Sequence, residues 1–164
     1  MKTRCFVVAV AIVLAGSASA FAQEQPRIIA RSATVDRPRA EVFGTLKNYL
    51  SDPVLSGFTL TSADETTGIL RARRSGIDSG TWNKWAFCEA RNVEMIYNLE
   101  SNSAEIEAKV QPSGKDASYV SVRSDLRGTY SLGSASTTIG CVSRGIVENE
   151  ILTVAGAQPA GCRN

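Results

Sequence analysis

The sequence predicts an α+β protein in which one curved antiparallel sheet packs against helices, in the order strand, helix, several strands, helix. Two segments, 38–50 and 143–157, repeat apolar residues at helical spacing. Most of the chain between them alternates apolar and polar residues, as strands with one wet face do. With 164 residues, 43% hydrophobic and 21% charged, the chain suits one ordinary globular domain.

Residues 1–22 have the three-part pattern of a secretory signal peptide. Basic residues come first, an uncharged apolar run covers 6–15, and small residues follow up to Ala22. Because this run is far shorter than the ~20 residues that span a bilayer, we expect cleavage near Ala22 or at the alternative site Ala20, and no stable membrane anchor. The mature chain 23–164 is then a single domain with a flexible tail over 158–164, located in the periplasm or secreted.

The charge balance and the absence of histidine exclude several classes of function. Without Lys2 and Arg4, the 18 basic residues become 16 and equal the 16 acidic ones. A neutral chain without a dense Lys/Arg stripe predicts no nucleic-acid partner. The chain contains no His, which excludes Ser-His-Asp and Cys-His catalysis and His-based zinc sites. We expect no metal and no cofactor.

Three cysteines of the mature chain are disulfide candidates, since export leads to an oxidising compartment. The predicted closing helix takes the chain about 20 Å away from Cys141. The residues 158–161 then span at most ~17 Å, too little for Cys162 to return easily. We therefore predict a Cys88–Cys141 disulfide, and a Cys162 that is either free or paired between chains.

The amino-terminal half predicts a strand, the best helix of the chain and a hairpin. The strand covers 27–35, the helix runs from near Pro38 to Leu50, and the hairpin strands are 57–61 and 68–73. Asp36 is placed to cap the helix. The helix should stop near Asp52, because Pro53 disfavours helical geometry in the residue before it.

The carboxy-terminal half predicts an antiparallel meander and a last helix. The predicted elements are a loop over 75–80, strands over 82–88, 93–99, 105–110 and 117–126, and a helix over 143–157 that Ser143 caps. Residues 128–140 are rich in Gly, Ser and Thr. We expect an irregular connection there, with a mobile loop as the functional alternative.

The stretch ARSATVDRPRAEVF, residues 30–43, resembles the opening of helix-grip proteins of the START-like superfamily. In that superfamily a first strand ending in Val/Ile-Asp-x-Pro leads into a helix carrying Val-Phe or Val-Trp, and a curved sheet grips a closing helix. The segment 57–70 and the strands after it are also similar to small helix-grip domains of bacterial envelope lipoproteins that assist outer-membrane assembly. The resemblance implies a groove between sheet and helix, although the short closing helix argues against a large lipid cavity.

Candidate ligand-binding residues fall into three groups. Apolar residues of the groove, which any core would also use, are Phe43, Leu46, Met95 and Tyr97. Trp82 and Trp85 lie three apart on a predicted strand, so one is expected to be buried and the other exposed to sugar rings or a partner. Arg71 and Arg73 share a strand face, where they grip a phosphate or carboxylate or simply protect an exposed strand end.

Carboxylates on the predicted strands have two interpretations. The residues concerned are Glu94, Glu105, Glu107 and Asp125. A pair of them suits acid/base chemistry, but their alternation with apolar residues favours wet-face pairing with cations on neighbouring strands. The cations expected as partners are Lys84, Arg91, Lys109 and Arg123.

The sequence thus predicts an exported, non-enzymatic binding module for a small apolar ligand or a protein partner. An accessory protein of envelope assembly is the alternative, and a His-independent hydrolase that uses carboxylates ranks below both. A cavity between helix and sheet favours the small ligand, whereas a filled core with an exposed Trp patch favours the protein partner.

Overall fold

A computed structural model describes residues 30–88 and 98–158, and in this part the chain is α+β, with a curved, unclosed antiparallel sheet of seven strands and four helices. The predicted fold class is confirmed. The elements in chain order are β1 (Ala30–Val35), α1 (Arg39–Ser51), α2 (Pro53–Ser56), β2 (Thr59–Asp64), β3 (Ile69–Ser75), α3 (Ser79–Trp85), β4 (Ala86–Phe87), β5 (Asn98–Pro112), β6 (Ser118–Leu132), β7 (Ala135–Ser143) and α4 (Ile146–Val154).

Strand β6 is the centre of the sheet, whose order is β2-β3-β5-β6-β7-β4. One edge of β6 pairs with β5 over nearly its whole length. The other edge is divided, because β7 pairs with residues 126–132 and β1 pairs with residues 118–123. Strand β1 therefore occupies the part of this edge of β6 that β7 does not pair with.

Helix α1 has the predicted position, but its predicted cap is wrong. The N-cap residue is Pro38, which makes no side-chain capping bond, and Asp36 lies two residues before it. The fixed φ of proline is already suited to a helix start, so a side-chain cap is dispensable. The helix ends at Ser51, and Asp52 then caps the unpredicted single turn α2 by accepting hydrogen bonds from two backbone N–H groups.

The hairpin of β2 and β3 confirms the prediction for this segment, with a shorter turn than expected. Strand β2 continues to Asp64, whose carbonyl oxygen accepts the N–H of Gly68 at 2.8 Å. A carboxylate oxygen of Asp64 also accepts the N–H of Thr66 at 2.9 Å. The backbone and the side chain of Asp64 both accept hydrogen bonds from residues of the turn. Strand β2 therefore extends to Asp64, further than its apolar residues indicated.

The strand predicted to begin at Trp82 is wrong, since these residues form the short helix α3. The carboxylate of Asp78 accepts the N–H of Thr81 at 2.9 Å and caps this helix. Only Ala86 and Phe87 remain as a strand. A spacing of three residues places the two tryptophans on one helix face, so both are buried, contrary to the expected exposure of one.

The irregular connection predicted over 128–140 is also wrong. Strand β6 runs on to Leu132, β7 starts at Ala135, and Gly133 occupies the two-residue turn with a φ of 60°. The Thr129 and Thr138 hydroxyls hydrogen-bond across the hairpin at 2.9 Å. Small polar side chains hide the strand signal here, because the pairing depends on backbone bonds and cross-strand contacts rather than on large apolar residues.

Two further boundaries differ from the prediction. Ser143 belongs to β7 and does not cap the last helix, whose N-cap is Gly145 at a φ of 81°. The Ser143 hydroxyl oxygen accepts a hydrogen bond from the N–H of Gly145 at 2.9 Å, and the chain turns here before the helix starts. Strand β5 is continuous from Asn98 to Pro112, whereas most of the strand predicted over 93–99 lies outside the described residues.

Helices α1, α3 and α4 bury their apolar faces against the sheet in one hydrophobic core. The largest fully buried side chains of this core include Trp82, Leu46, Leu50, Leu70, Ile106, Leu126 and Ile151. The ring of Phe58 stacks on that of Trp85 with 5.8 Å between centroids. Within the described ranges, no helix is long and apolar enough to cross a membrane.

The predicted disulfide between Cys88 and Cys141 is present. The β4–β7 ladder pairs Ala86 with Ser143 and Phe87 with Val142, so the next pair in register is Cys88 with Cys141. Their Cα atoms are 4.2 Å apart, which suits directly opposed residues of an antiparallel pair. The disulfide thus fixes the short strand β4 to the edge of the sheet. Cys162 lies outside the described residues.

Removing this disulfide with the double substitution Cys88→Ala/Cys141→Ala should lower the free energy of unfolding by about 4 kcal/mol, because the closed loop spans a sequence separation of 53. Urea unfolding followed by circular dichroism measures the change. The variant Cys162→Ala is the control and should leave the unfolding midpoint unchanged. A loss of less than about 1 kcal/mol in the double variant would contradict the assigned role.

Candidate functional site

The face of the sheet away from the helices carries rows of charged side chains around a depression of about 420 Å³. We call this surface the charged face and define it by residues Thr61, Arg71, Arg73, Glu105, Glu107, Arg123 and Asp125. The side chains of this surface alternate with buried ones such as Ala72, Ile106 and Ser124 along β3, β5 and β6. The strand pattern therefore collects charges that are distant in sequence.

Strand register arranges these charges into two rows. The first row is Arg71, Glu107 and Arg123, on adjacent strands. The second row is Arg73, Glu105 and Asp125. Arg71 binds Glu107 through Nε at 3.0 Å and Nη2 at 2.7 Å, whereas Arg73 Nε lies 3.9 Å from Glu105. The sequence-predicted arginine pair thus shares a face as expected, and each arginine faces a carboxylate.

The carboxylates of this face are wet-face partners of cations, but the cations are not those expected. Asp125 pairs with Arg127 of its own strand at 2.8 Å and raises the pKa of that guanidinium through a hydrogen bond. Glu107 and Glu105 form ion pairs with Arg71 and Arg73, which were not among the cations expected as partners. Strand register places Glu107 between Arg71 and Arg123, and the ion pair forms with Arg71. Glu94 and Arg91 lie outside the described residues.

Two cations at this surface keep their charge uncompensated. The side chains of Lys109 and Arg123 have no hydrogen-bond or ion-pair partner among the residues that the structure describes. Lys109 is opposite Ser121 in the β5–β6 ladder, two positions along β6 from Arg123. Because neither cation forms an ion pair, an acidic group could contact both of them without breaking the Arg71–Glu107 pair of the same surface.

The predicted groove residues are in the core instead of along an open groove. Phe43 is 4% exposed and Leu46 is fully buried, both among side chains from helices and sheet. Met95 and Tyr97 lie outside the described residues. Trp85 is covered by Phe58 and by the Arg74 guanidinium, 5.2 Å from the ring centroid. Buried Trp82 also lines a surface depression of about 430 Å³ with Phe87, Leu99 and Arg144.

Sequence reasoning missed a fully buried carboxylate, Glu148 in the first turn of α4. Its two oxygens accept hydrogen bonds from the hydroxyls of Ser124 on β6 and Ser143 on β7, the latter at 2.8 Å. Each donor removes part of the cost of taking a carboxylate out of water. Glu148 therefore ties the last helix to the two strands beneath it. Its position in an otherwise apolar helical face, beside Val147 and Ile151, is the sequence signal that indicates a buried partner.

A second polar contact joins α1 to α4. The Tyr49 hydroxyl donates a hydrogen bond to the Glu150 carboxylate at 2.5 Å. Burial raises the pKa of Tyr49 well above its usual range, and the bond to Glu150 raises it further, while the nearby Arg74 lowers it. The phenol is thus held in its neutral, donating form. In the described part of the chain, no group of three or more Cys, Asp or Glu residues is arranged to hold a metal ion.

Comparison with known proteins gives no family for this chain. No family model matches the sequence, and no curated protein matches it. One similar solved structure is a DUF4468 family protein from Bacteroides ovatus, with 12% identity and a TM-score of 0.37. The match covers 68% of this chain and 59% of that protein, so it spans less than two thirds of the length of that protein. A similarity of this degree supports no conclusion about function.

The Tyr49→Phe variant should lose less stability at alkaline pH than the unchanged protein. The raised pKa means that the folded state favours the neutral phenol; this contribution is complete below the unfolded value of about 10 and is lost as pH rises through the folded value. Urea unfolding at pH 8, 10 and 11 measures the difference, with Tyr119→Phe as the exposed control. Equal alkaline losses in the unchanged protein and the Tyr49→Phe variant would contradict this prediction.

Proposed function

We propose that this protein is an exported, non-enzymatic module that binds a protein partner through the charged face. The observation that carries the proposal is the accessible pair of charge rows, in which Arg123 forms no ion pair, with Lys109, also without an ion pair, next to the first row. Arrays of this kind steer association and select partners by charge complementarity. The partner accordingly presents Asp or Glu side chains to the two uncompensated cations.

The burial of Phe43 and Leu46 argues against a small apolar ligand in the predicted groove, and this favours a protein partner at the surface. Phe43 and Leu46, which were expected to line a ligand groove, are packed between helices and sheet. A ligand at that position has to displace core side chains, and truncating a single buried Leu or Phe already costs about 2–5 kcal/mol. The surface of the sheet needs no such displacement.

The charge pattern favours a different protein over a second copy of this chain. With a two-fold axis parallel to the strands, Arg71 of one copy faces Arg123 of the other and Glu107 faces its own equivalent. With the axis across the strands and between the rows, Arg71 faces Arg73 and Glu107 faces Glu105. The first arrangement also sets Arg73 against Asp125, and the second sets Arg123 against Asp125, but the other facing positions carry like charges. Like charges directly opposed are destabilising, so neither aligned arrangement of two copies is complementary.

Two features support an extracytoplasmic location. The first 22 residues have the layout of a cleavable leader. The Cys88–Cys141 disulfide is typical of proteins that fold in an oxidising compartment. Together with the resemblance to helix-grip domains of envelope lipoproteins, they favour an envelope protein as the partner, and thus a role in envelope assembly.

Site-specific photo-crosslinking in the periplasm tests the proposal. The full chain, carrying a photoreactive amino acid in place of Thr61 on the charged face, should be processed to begin at Gln23 and should give a discrete protein adduct. The same amino acid in place of Asn48, exposed on α1, is the control and should give none. Substituting Arg123→Glu should weaken the adduct about tenfold, whereas Lys115→Glu, in the β5–β6 turn, should leave it unchanged.

Three results would contradict the proposal. Equal adducts from the Thr61 and Asn48 positions would show that capture does not depend on the charged face. Equal effects of Arg123→Glu and Lys115→Glu would show that only net charge matters. Native mass spectrometry that finds a small molecule bound to the processed chain, and no protein adduct, would favour the small apolar ligand instead.

A further inference from the structure

A second surface, independent of the charged face, lies between β1 and α4. Helix α4 runs beside β1, with Gly145 against Arg31 at one end and Gly156 against Val35 and Arg37 at the other. A groove of about 440 Å³ separates them on the outer side. Its lining residues are Arg31, Ser32, Ala33, Asn149, Leu152 and Thr153, with Ala157 and Gln158 at the far end.

Arg31 is incompletely satisfied at one end of this groove. Its guanidinium lies directly on Gly145, where a Cβ atom would overlap it. The Nε atom is buried and has no hydrogen-bond partner among the described residues, and Nη1 makes only a long bond of 3.4 Å to the Asn149 side chain. No carboxylate of the described chain lies within 4 Å of Arg31. Buried donors without acceptors are uncommon and call for a physical explanation.

The comparison with Arg37 shows which partner is missing. Arg37 lies at the carboxyl end of α4, where its Nη1 donates to the carbonyl oxygen of Ala155 at 3.5 Å, and Glu41 compensates its charge at 2.7 Å. That end of a helix attracts cations, whereas the amino end repels them. Arg31 is a cation at the amino end of the same helix, and it has no carboxylate beside it. The Glu148 carboxylate of the first turn of α4 is bound by two serine hydroxyls and not by Arg31, so an anion placed beside Arg31 would supply the charge partner that Arg31 lacks.

The strand that lines the groove is also incompletely paired. Within the described part of the chain, β1 pairs with β6 alone, so its second edge keeps backbone N–H and C=O groups without a strand partner. Such an edge accepts an added strand from another chain. Residues 31–33 offer about 10 Å of edge, which matches three or four peptide residues, and Ala33 and Leu152 supply small apolar contacts for their side chains.

We infer that this groove binds the carboxy-terminal end of an extended peptide segment from another protein. The peptide runs antiparallel to β1, so that its main chain pairs with the free edge and its terminal carboxylate reaches Arg31 at the amino end of α4. Inorganic phosphate or a lipid headgroup satisfies Arg31 alone and leaves the strand edge unpaired. A peptide carboxyl terminus satisfies both groups at once.

Nuclear magnetic resonance with the full, uniformly ¹⁵N-labelled chain tests the inference. The probe is a pool of N-acetylated tetrapeptides with free carboxyl termini, compared with the same pool amidated at the carboxyl end and with inorganic phosphate. The free-acid pool should shift the backbone amides of 31–33 and 149–153 and leave those of 105–107 in place. The variant Arg31→Gln should weaken this binding at least tenfold, and Arg127→Gln on the other face should not.

Each other outcome overturns the inference. Equal shifts with the amidated pool would show that the carboxylate is not recognised. Shifts with phosphate and none with either pool would identify a simple anion site. No shift at all, or nuclear Overhauser contacts that place residues 159–164 in the groove, would show that the groove takes no external peptide. None of these results depends on Arg123, so failure here is distinguishable from failure of the charged face.

Discussion

The pairing of strand β6 is the constraint on which the rest of this structure depends. Its residues 118–131 pair with β5 along one edge, while its other edge is shared by β7 and β1. Because side chains alternate strictly along a strand, this ladder puts Val120, Val122 and Leu126 in the core and Arg123 and Asp125 on the outer face. A shift of one residue would exchange the two sets and remove both the core and the charge rows.

The second edge of β6 is shared only because the chain turns away from the sheet between β7 and α4, before β7 reaches residues 118–123. Ser143, the last residue of β7, binds the N–H of Gly145 and donates to Glu148, which also receives the hydroxyl of Ser124. This buried network anchors the start of α4 directly above the middle of β6. The Cys88–Cys141 disulfide holds β4 to the same region. As a result the position beside residues 118–123 is open to β1, and Arg31 meets the amino end of α4.

Residue patterns predicted the parts of this fold that rest on strong local signals. Helix α1 has a regular apolar face and ends before Pro53, and strand β3 alternates buried and exposed side chains. Local sequence signals gave wrong predictions where a cap or a paired strand determines the secondary structure. The aromatic residues around Trp82 favoured a strand, but the Asp78 cap starts a helix, and the small residues of 128–140 pair only because β6 and β7 support each other.

The candidate sites were less accessible to sequence reasoning than the fold. A shared face for Arg71 and Arg73 follows from strand periodicity. Their pairing with Glu107 and Glu105 depends on the register between β3 and β5, and the paired residues are more than thirty positions apart in the sequence. The contact between Arg31 and Gly145 joins residues that are more than one hundred positions apart in the sequence. No local pattern records a contact of this kind, because tertiary packing creates it.

Interstrand nuclear Overhauser contacts along β6 test the central claim, that its second edge is shared. Contacts from Ala33 to Val120 and from Leu126 to Cys141 are expected in the same sample, because these residues are in register. If β7 instead continued along residues 118–123, or if β1 made no contact with β6, the positions of α4, the charged face and the groove would all be contradicted.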